Sequence, residues 1–149
     1  MTPPASVSQV RPATSGDWKS IERLLRERRL PTDGARDHLA TFLVATDGPS
    51  LLGCAGIEQY GDVGLVRSVA VAETAGGRGV GAELVRALLA RARALELREL
   101  YLLTTTAAGY FPRFGFETVG GETLPPALSA SEELRGACPA SAIAMRLTP

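Results

Sequence analysis

The run GGRGVGA, Gly76 to Ala82, sets four glycines within six residues, between an apolar stretch and the start of a long helical pattern. Glycine lets the backbone turn sharply and approach a ligand, and the free N–H groups at a helix start attract phosphate oxygens. Residues Gly76, Gly77, Gly79, Val80, Gly81 and Ala82 therefore read as an anion-binding turn, beyond what a tight strand-to-helix connection alone would need. It is not a phosphate loop of the G-x-x-x-x-G-K-[ST] type, because the chain's one lysine is Lys19, after Trp18. Gly77, Gly79 and Ala82 do fit the G-x-G-x-x-A form of a dinucleotide fingerprint. That fingerprint wants an acidic residue roughly 20 positions on, at the end of the next strand. Here Glu96 and Glu99 precede that strand, which ends in Thr104, Thr105 and Thr106, so the dinucleotide reading is rejected.

A second chemical cluster lies in LYLLTTTAAGYFPRFGFE, Leu100 to Glu117, which holds five of the eight aromatic residues: Tyr101, Tyr110, Phe111, Phe114 and Phe116. Tyr110 is the ring next to the glycine and proline that disturb a regular helix there, and it can donate a proton. The other rings read chiefly as core. The two cysteines, Cys54 and Cys138, do not form a C-x-x-C pair, and a disulfide framework is not expected. With His38 the one histidine, no His/Cys metal site is expected.

These residues need elements to hold them. SVSQVRPA reads as a first strand, and TSGD as a capping box, with Thr14 as cap and Asp17 three residues on. Trp18, Ile21, Leu24 and Leu25 follow at helical spacing, and that helix ends near Leu30 to Gly34. Thr41 to Ala45, LLGCAGIEQYG and GLVRSVAVA, separated by turn residues, read as three further strands of an antiparallel meander. Val80, Leu84, Val85, Leu88, Leu89, Ala92 and Leu95 mark one face of a helix of about four or five turns. LYLLTT is a continuous apolar strand, suited to a parallel position after a crossover helix. A helical turn near Ala107 to Arg113, a strand from Phe116, a proline-interrupted segment and a last strand SAIAMRL complete the pattern. The expected class is α+β: a mixed, mostly antiparallel sheet flanked by helices, with one βαβ element. Residues 1–6 are expected to be disordered and 7–149 to form a single domain.

SVAVAETAGGRGVGAELV resembles the cofactor segment of the GNAT N-acetyltransferases, in which a strand ending V-x-V leads into a loop of the form [QR]-x-x-G-x-G/A. Gly79 and Gly81 match that loop, while Gly76 stands where the family has Gln or Arg. The resemblance implies the GNAT acyl-CoA N-acyltransferase fold, acetyl-CoA as cosubstrate and an N-acetyltransferase activity. It implies that the fourth and fifth strands splay apart, with pantetheine lying along Val69, Ala70 and Val71, and a backbone N–H near Val69 facing the thioester carbonyl. Arg78 then suits a CoA phosphate, or alternatively is a solvated loop arginine. Phe111 and Phe114 are expected at the cofactor, and the aromatics, Phe114 and Phe116 especially, as core and thiol-side wall. Phe111 occupies the position, four before Gly115, where most of the family has a tyrosine able to protonate the departing thiolate. Tyr110, its neighbour, remains as a substrate contact or a displaced acid.

Attack on a thioester needs a neutral amine, so a base must take its proton. Glu58 is the candidate, on the same strand face as Cys54 and Gly56 if the strand is regular, with an exposed strand-end carboxylate as the alternative reading. Asp62 and His38 are weaker candidates, His38 as an ordinary surface residue. Arg67 and Ser68 are expected on opposite faces of the fourth strand. Arg67 reads as a ligand for a substrate carboxylate, or alternatively as the ion-pair partner of Glu58 or Asp62. LTTTAAGYFPRFGF resembles a stretch of the acetyltransferase domain of N-acetylglutamate synthases. VRSVAV, LYLLTTTA and CPASAIAM together resemble the arsenic-resistance acetyltransferases of the ArsN type. That branch implies an amino-acid-like acceptor with an anionic head, a glutamate-like organoarsenical or phosphinate, with Thr105 and Thr106 as hydroxyl donors. The alternatives are a synthase-like amino-acid acetyltransferase, or a non-catalytic acetyl-CoA- or arsenic-binding module.

Sixteen basic and sixteen acidic residues balance, so no global field favours nucleic acid or an anionic membrane. No signal-like or bilayer-length apolar run is present, and a cytoplasmic location is expected. The expected partners are a small-molecule substrate and, through the last strand, a possible second copy of the chain.

Overall fold

The computed structural model describes residues 9–77, 79–131 and 142–149. The first six residues, Arg78, and the CPAS half of the CPASAIAM block, Cys138 included, lie outside the described residues. Strands β1 (Gln9–Pro12), β2 (Phe42–Asp47), β3 (Ser50–Tyr60) and β4 (Val63–Val71) form the antiparallel meander. Helix α2 (Val80–Ala94) then crosses over to β5 (Glu99–Thr104), which lies parallel to β4. With β6 (Glu117–Val119) and β7 (Ile143–Leu147), both antiparallel to their neighbours, the sheet order is β1-β2-β3-β4-β5-β7-β6.

Helix α1 (Trp18–Glu27) follows a short 3₁₀ turn, Ser15–Asp17, where the expected cap forms. The Thr14 N–H donates to Asp17 Oδ2 at 2.7 Å and Arg11 reaches the same oxygen at 2.8 Å. The Arg11 hydrogen bond, opposed by burial and aided by Thr14, holds the Asp17 carboxyl down at about 2. α1 buries Trp18, Ile21, Leu24 and Leu25 on one face of the sheet, against Phe42, Val44, Cys54 and Ala70. α2 buries its apolar stripe on the other face, against Leu43, Ala45, Ala55, Ile57 and Val66. The one-in-two alternation of β2 and β3 thus feeds two cores. Where α2 crosses β3, a Cβ on Gly53 would stand 2.8 Å from both the Ala70 carbonyl and Leu84 Cδ1, so only glycine permits that approach.

Two departures from regular pairing shape the middle of the sheet. β4 pairs with β5 only from Val63↔Glu99 to Val66↔Leu102, although β4 continues to Val71, so the two strands part beyond Val66. On its other edge, the β3 register steps from Gly56↔Arg67 to Cys54↔Ala70, passing over Ser68 and Val69. Ser68 has φ of +59°. This is a β-bulge with its first residue left-handed, a feature that kinks a strand and re-aims its side chains. The expected helical turn before β6 is a short 3₁₀ turn, Phe111–Phe114, with Pro112 in its first turn.

Candidate functional site

The parting of β4 from β5 opens a cleft of about 590 Å³, within the range of small-molecule sites. Its floor is Val66 to Val69 and Val71 of β4 and Leu102 to Thr104 of β5. Gly81, Tyr110 and Phe111 line it on the α2 side, and Arg28, Arg29, Pro31 and Asp33, just after α1, line it on the α1 side. Because α1 and α2 lie on opposite faces, the cleft runs through the sheet.

On the α2 side, Gly77 and Gly79 have φ of +82° and +76°, and a Cβ on either would meet nothing within 4 Å. The turn therefore needs glycine for its backbone angles, and leaves open space beside it. Val80 begins α2 and is buried in the core, so the glycine turn offers N–H groups rather than side chains. Ala70 likewise faces the α1 core, while its neighbours Val69 and Val71 face the cleft. Ala82 and Phe114 are not among the cleft-lining residues. Phe114 packs on the main core, with Arg86 5.9 Å from its ring centre.

The aromatic cluster divides as its burial dictates. Phe111 and Phe116 are buried and meet edge to face at 5.8 Å. Tyr110 is half-buried between Phe111 and Phe114, each 5.3 Å away, with the Arg113 guanidinium 4.5 Å above its ring. Its hydroxyl lies where a Cβ on Gly81 would come within 3.1 Å, so the bare glycine of α2's first turn makes room for it. Tyr110 is thus the ring that carries a hydroxyl into the cleft. Thr105 and Thr106 line the cleft and are exposed, whereas Thr104 Oγ1 accepts the Ala107 N–H at 2.9 Å and closes the turn after β5.

Arg67 and Ser68 do not stand on opposite faces. The left-handed Ser68 brings its Oγ to 3.0 Å from Arg67 Nε, and both side chains are buried. Arg67 Nη1 also donates to Glu58 Oε2 at 2.6 Å and to the Asp33 carbonyl at 2.7 Å, and Nη2 donates to the Pro31 carbonyl at 3.0 Å. Glu58 is fully buried and does not line the cleft; Arg67 stands in front of it. Burial alone would push the Glu58 carboxyl up, but hydrogen bonds from Tyr60, Ser131 and Arg67, with the Arg67 charge, hold it below its ordinary value. Burial and the neighbouring Glu58 push the Tyr60 hydroxyl up to about 12. His38 is not an ordinary surface residue: its Nε2 lies 3.8 Å from Glu58 Oε1 and its ring meets Tyr60 at 5.9 Å. Asp62 is elsewhere, in an exposed pair with Arg98 at 3.4 Å.

Sequence reasoning missed Arg28, Arg29, Pro31 and Asp33 as part of the site. The available signal was a helix ending in RERRLP, without the usual glycine stop. Cys54 is buried, its Sγ donating to the Ser68 carbonyl, and burial pushes its thiol up to about 12. Such a thiol is a packing group, with no thiolate to offer a soft metalloid. Among the described residues no three His, Cys, Asp or Glu side chains gather to hold a metal ion, and no helix is long and apolar enough to cross a membrane.

The chain is 28% identical over 125 residues to the amino-acid acetyltransferase of Neisseria meningitidis serogroup A, covering 78% of this chain and 29% of that protein. It is 36% identical over 102 residues to the Ralstonia nicotianae amino-acid acetyltransferase, covering 67% of this chain and 22% of the relative. It therefore spans less than a third of either relative. In three dimensions it is similar to the Neisseria gonorrhoeae N-acetylglutamate synthase complexed with coenzyme A and N-acetyl-glutamate. The TM-score is 0.80 at 25% identity, over 97% of this chain and 35% of that one. A Mycobacterium tuberculosis protein in complex with CoA and NLQ shares the fold at a TM-score of 0.79 and 23% identity, over 95% of this chain and 99% of that one. The sequence profile of the acetyltransferase (GNAT) family matches residues 8–116, and with the parted β4 and β5 and the glycine turn opening α2, the chain belongs to that family.

Proposed function

We propose that this protein transfers the acetyl group of acetyl-CoA directly to the amine of a small amino-acid-like acceptor with an anionic head. The observation that carries the reading is the cleft itself. Among the described residues its β4 edge is left without a strand partner from Arg67 to Val71 on the β5 side, and it lies beside a glycine turn at a helix start. An extended pantetheine arm fits an unpaired strand edge, since its amides can take up the free backbone groups. The pyrophosphate fits the turn at Gly77 and Gly79, where N–H groups and the helix dipole favour anions.

Transfer forms the new C–N bond as the acceptor nitrogen attacks the thioester carbonyl, and the C–S bond then breaks. Ser68 and Val69, passed over by the β3 register, are the stretch of β4 whose N–H groups can face the developing oxyanion. One such donor is worth roughly a hundredfold in rate. Tyr110 supplies a proton to the leaving thiolate and regains it from solvent. The amine's proton leaves through water in the open cleft. Glu58, behind Arg67 and below its ordinary value, is assigned a positioning role in place of the base.

The acceptor class rests on the threonines after β5, the arginines of the α1 side and the amino-acid acetyltransferase relatives. The three sequence blocks shared with the ArsN type favour a glutamate-like organoarsenical or phosphinate, and the relatives favour glutamate itself. The test follows CoA thiol release over a panel of glutamate, other amino acids, and phosphinate or arsinate analogues of glutamate. Release with glutamate is expected, and faster release with its phosphinate and arsinate analogues. Selective release with glutamate would move the assignment to the biosynthetic reaction, and no release with any amine would reject the acceptor class.

A further inference from the structure

Among the described residues, three guanidinium groups border the α1 side of the cleft, Arg28, Arg29 and Arg67, against one carboxylate, Asp33. They are not equivalent. Arg67 is 3% exposed, and its donors go to Ser68 Oγ, Glu58 and the carbonyls of Pro31 and Asp33. To reach a ligand it would have to abandon a buried partner. Arg28 and Arg29 are exposed, and neither forms an ion pair with a carboxylate among the described residues, although Asp33 borders the same cleft.

Their placement is fixed by the end of α1. The Leu30 N–H donates to the Leu25 carbonyl at 2.8 Å and the Arg29 N–H to the Arg26 carbonyl at 3.1 Å. This is the paired bonding of a Schellman stop, whose left-handed residue is usually glycine. Here it is Arg29, with φ of +58°. The end of α2 uses the same bonds with Glu96 at φ of +59°, so the strained backbone alone does not mark a site. What separates the two is that Arg29 borders the cleft and Glu96 does not. The Arg67 clamp on the Pro31 and Asp33 carbonyls then holds this arginine-bearing turn against β4.

We infer that Arg29, with Arg28 beside it, is the specificity-determining contact for the anionic head of the acceptor, and that Arg67 is the positioning residue that holds their turn in place. The inference rests on the proposed acceptor class. It is tested with Arg29→Gly, a change that the positive φ favours and that folding tolerates. Its Tm is expected to rise by about 2 °C. KM for glutamate is expected to rise about tenfold, the scale of one charge-assisted hydrogen bond, with KM for glutamine and for acetyl-CoA unchanged. Arg29→Lys should recover part of the glutamate preference. Glu96→Gly should raise Tm alike and leave both KM values alone. A binding arm needs no turnover: calorimetric titration of glutarate into the CoA-loaded protein should weaken about tenfold in Arg29→Gly. If the wild type acetylates nothing but binds glutarate through Arg29, the proposed function falls and the Arg29 contact to a carboxylate ligand of the cleft stands. If Arg29→Gly keeps both its glutamate-over-glutamine preference and its glutarate affinity, or if the wild type binds no glutarate, the inference is overturned.

Discussion

Removing the charge of Glu58 would leave the Arg67 guanidinium buried without the carboxylate 2.6 Å away, and it is this stranded charge that sets the penalty. Glu58→Gln is expected to lower stability by about 3–5 kcal/mol, read by denaturant unfolding at pH 7. The folded carboxyl titrates below its unfolded value, so the pair's contribution is present above about pH 4.3 and is lost as pH falls through the lowered folded value. The variant's stability should accordingly vary less with pH below 5, and an undiminished acid slope would show that other carboxylates govern it. Strand alternation makes the shared face of Cys54, Gly56 and Glu58 legible in the sequence. It cannot show that Arg67 is consumed by carbonyls more than thirty residues away in the chain, at Pro31 and Asp33. Tyr110 is the second residue-scale case. Neighbouring tyrosine and phenylalanine differ in the sequence only by a hydroxyl; both rings line the cleft, and packing buries Phe111 while leaving Tyr110 half-buried. Tyr110→Phe is expected to lower kcat about a hundredfold with KM for acetyl-CoA unchanged, measured by steady-state thiol release. Unchanged turnover would remove Tyr110 from the proton path.

Among the elements, α2 and β4 divide the work of the cofactor side. The α2 stripe is legible in its period, and Val80, Leu84, Val85, Leu88, Leu89 and Ala92 are buried as that period requires, with Leu95 half-buried beyond the helix end. The bulge in β4 is not legible, because VRSVAV carries no glycine to mark it and nothing in serine announces a left-handed φ. That one residue explains why Arg67 and Ser68 meet. The two glycines flanking the start of α2 should respond differently to alanine. Gly79→Ala places a Cβ at φ of +76° and is expected to lower stability by about 1 kcal/mol. Gly81 is helical, so alanine there should gain helix propensity, but its Cβ would crowd the Tyr110 hydroxyl at 3.1 Å and Val71 at 3.3 Å. Gly81→Ala is thus expected to unfold no earlier than wild type while losing about tenfold in kcat, and to lose nothing further when combined with Tyr110→Phe. Full additivity of the two losses would separate Gly81 from the hydroxyl.

At the scale of the whole molecule the sheet is two halves, β1-β2-β3-β4 and β5-β7-β6, joined by the short register Val63 to Val66 against Glu99 to Leu102 and by the core beneath α2. The meander, the crossover and the parallel β5 are legible because apolar runs and turn residues specify them. The order β7 between β5 and β6 depends on contacts across forty residues and is not. A ligand seated in the parting would touch both halves, since the cleft is lined by β4 and β5 together with Tyr110 before β6. It would bind the folded chain alone, because neither the unpaired β4 edge nor the glycine turn exists when the chain is unfolded. Mass action then fixes the gain: acetyl-CoA at a hundred times its Kd should add about 2.7 kcal/mol, a rise in Tm of roughly 5–10 °C for a chain of this size. CoA should give a similar rise, because it retains the pantetheine arm and pyrophosphate. Adenosine diphosphate, lacking the arm, should give a smaller one at the same concentration, read by differential scanning fluorimetry. Equal shifts from adenosine diphosphate and CoA would place the binding energy wholly at the glycine turn and none along β4, and the proposed seating of the arm would fail.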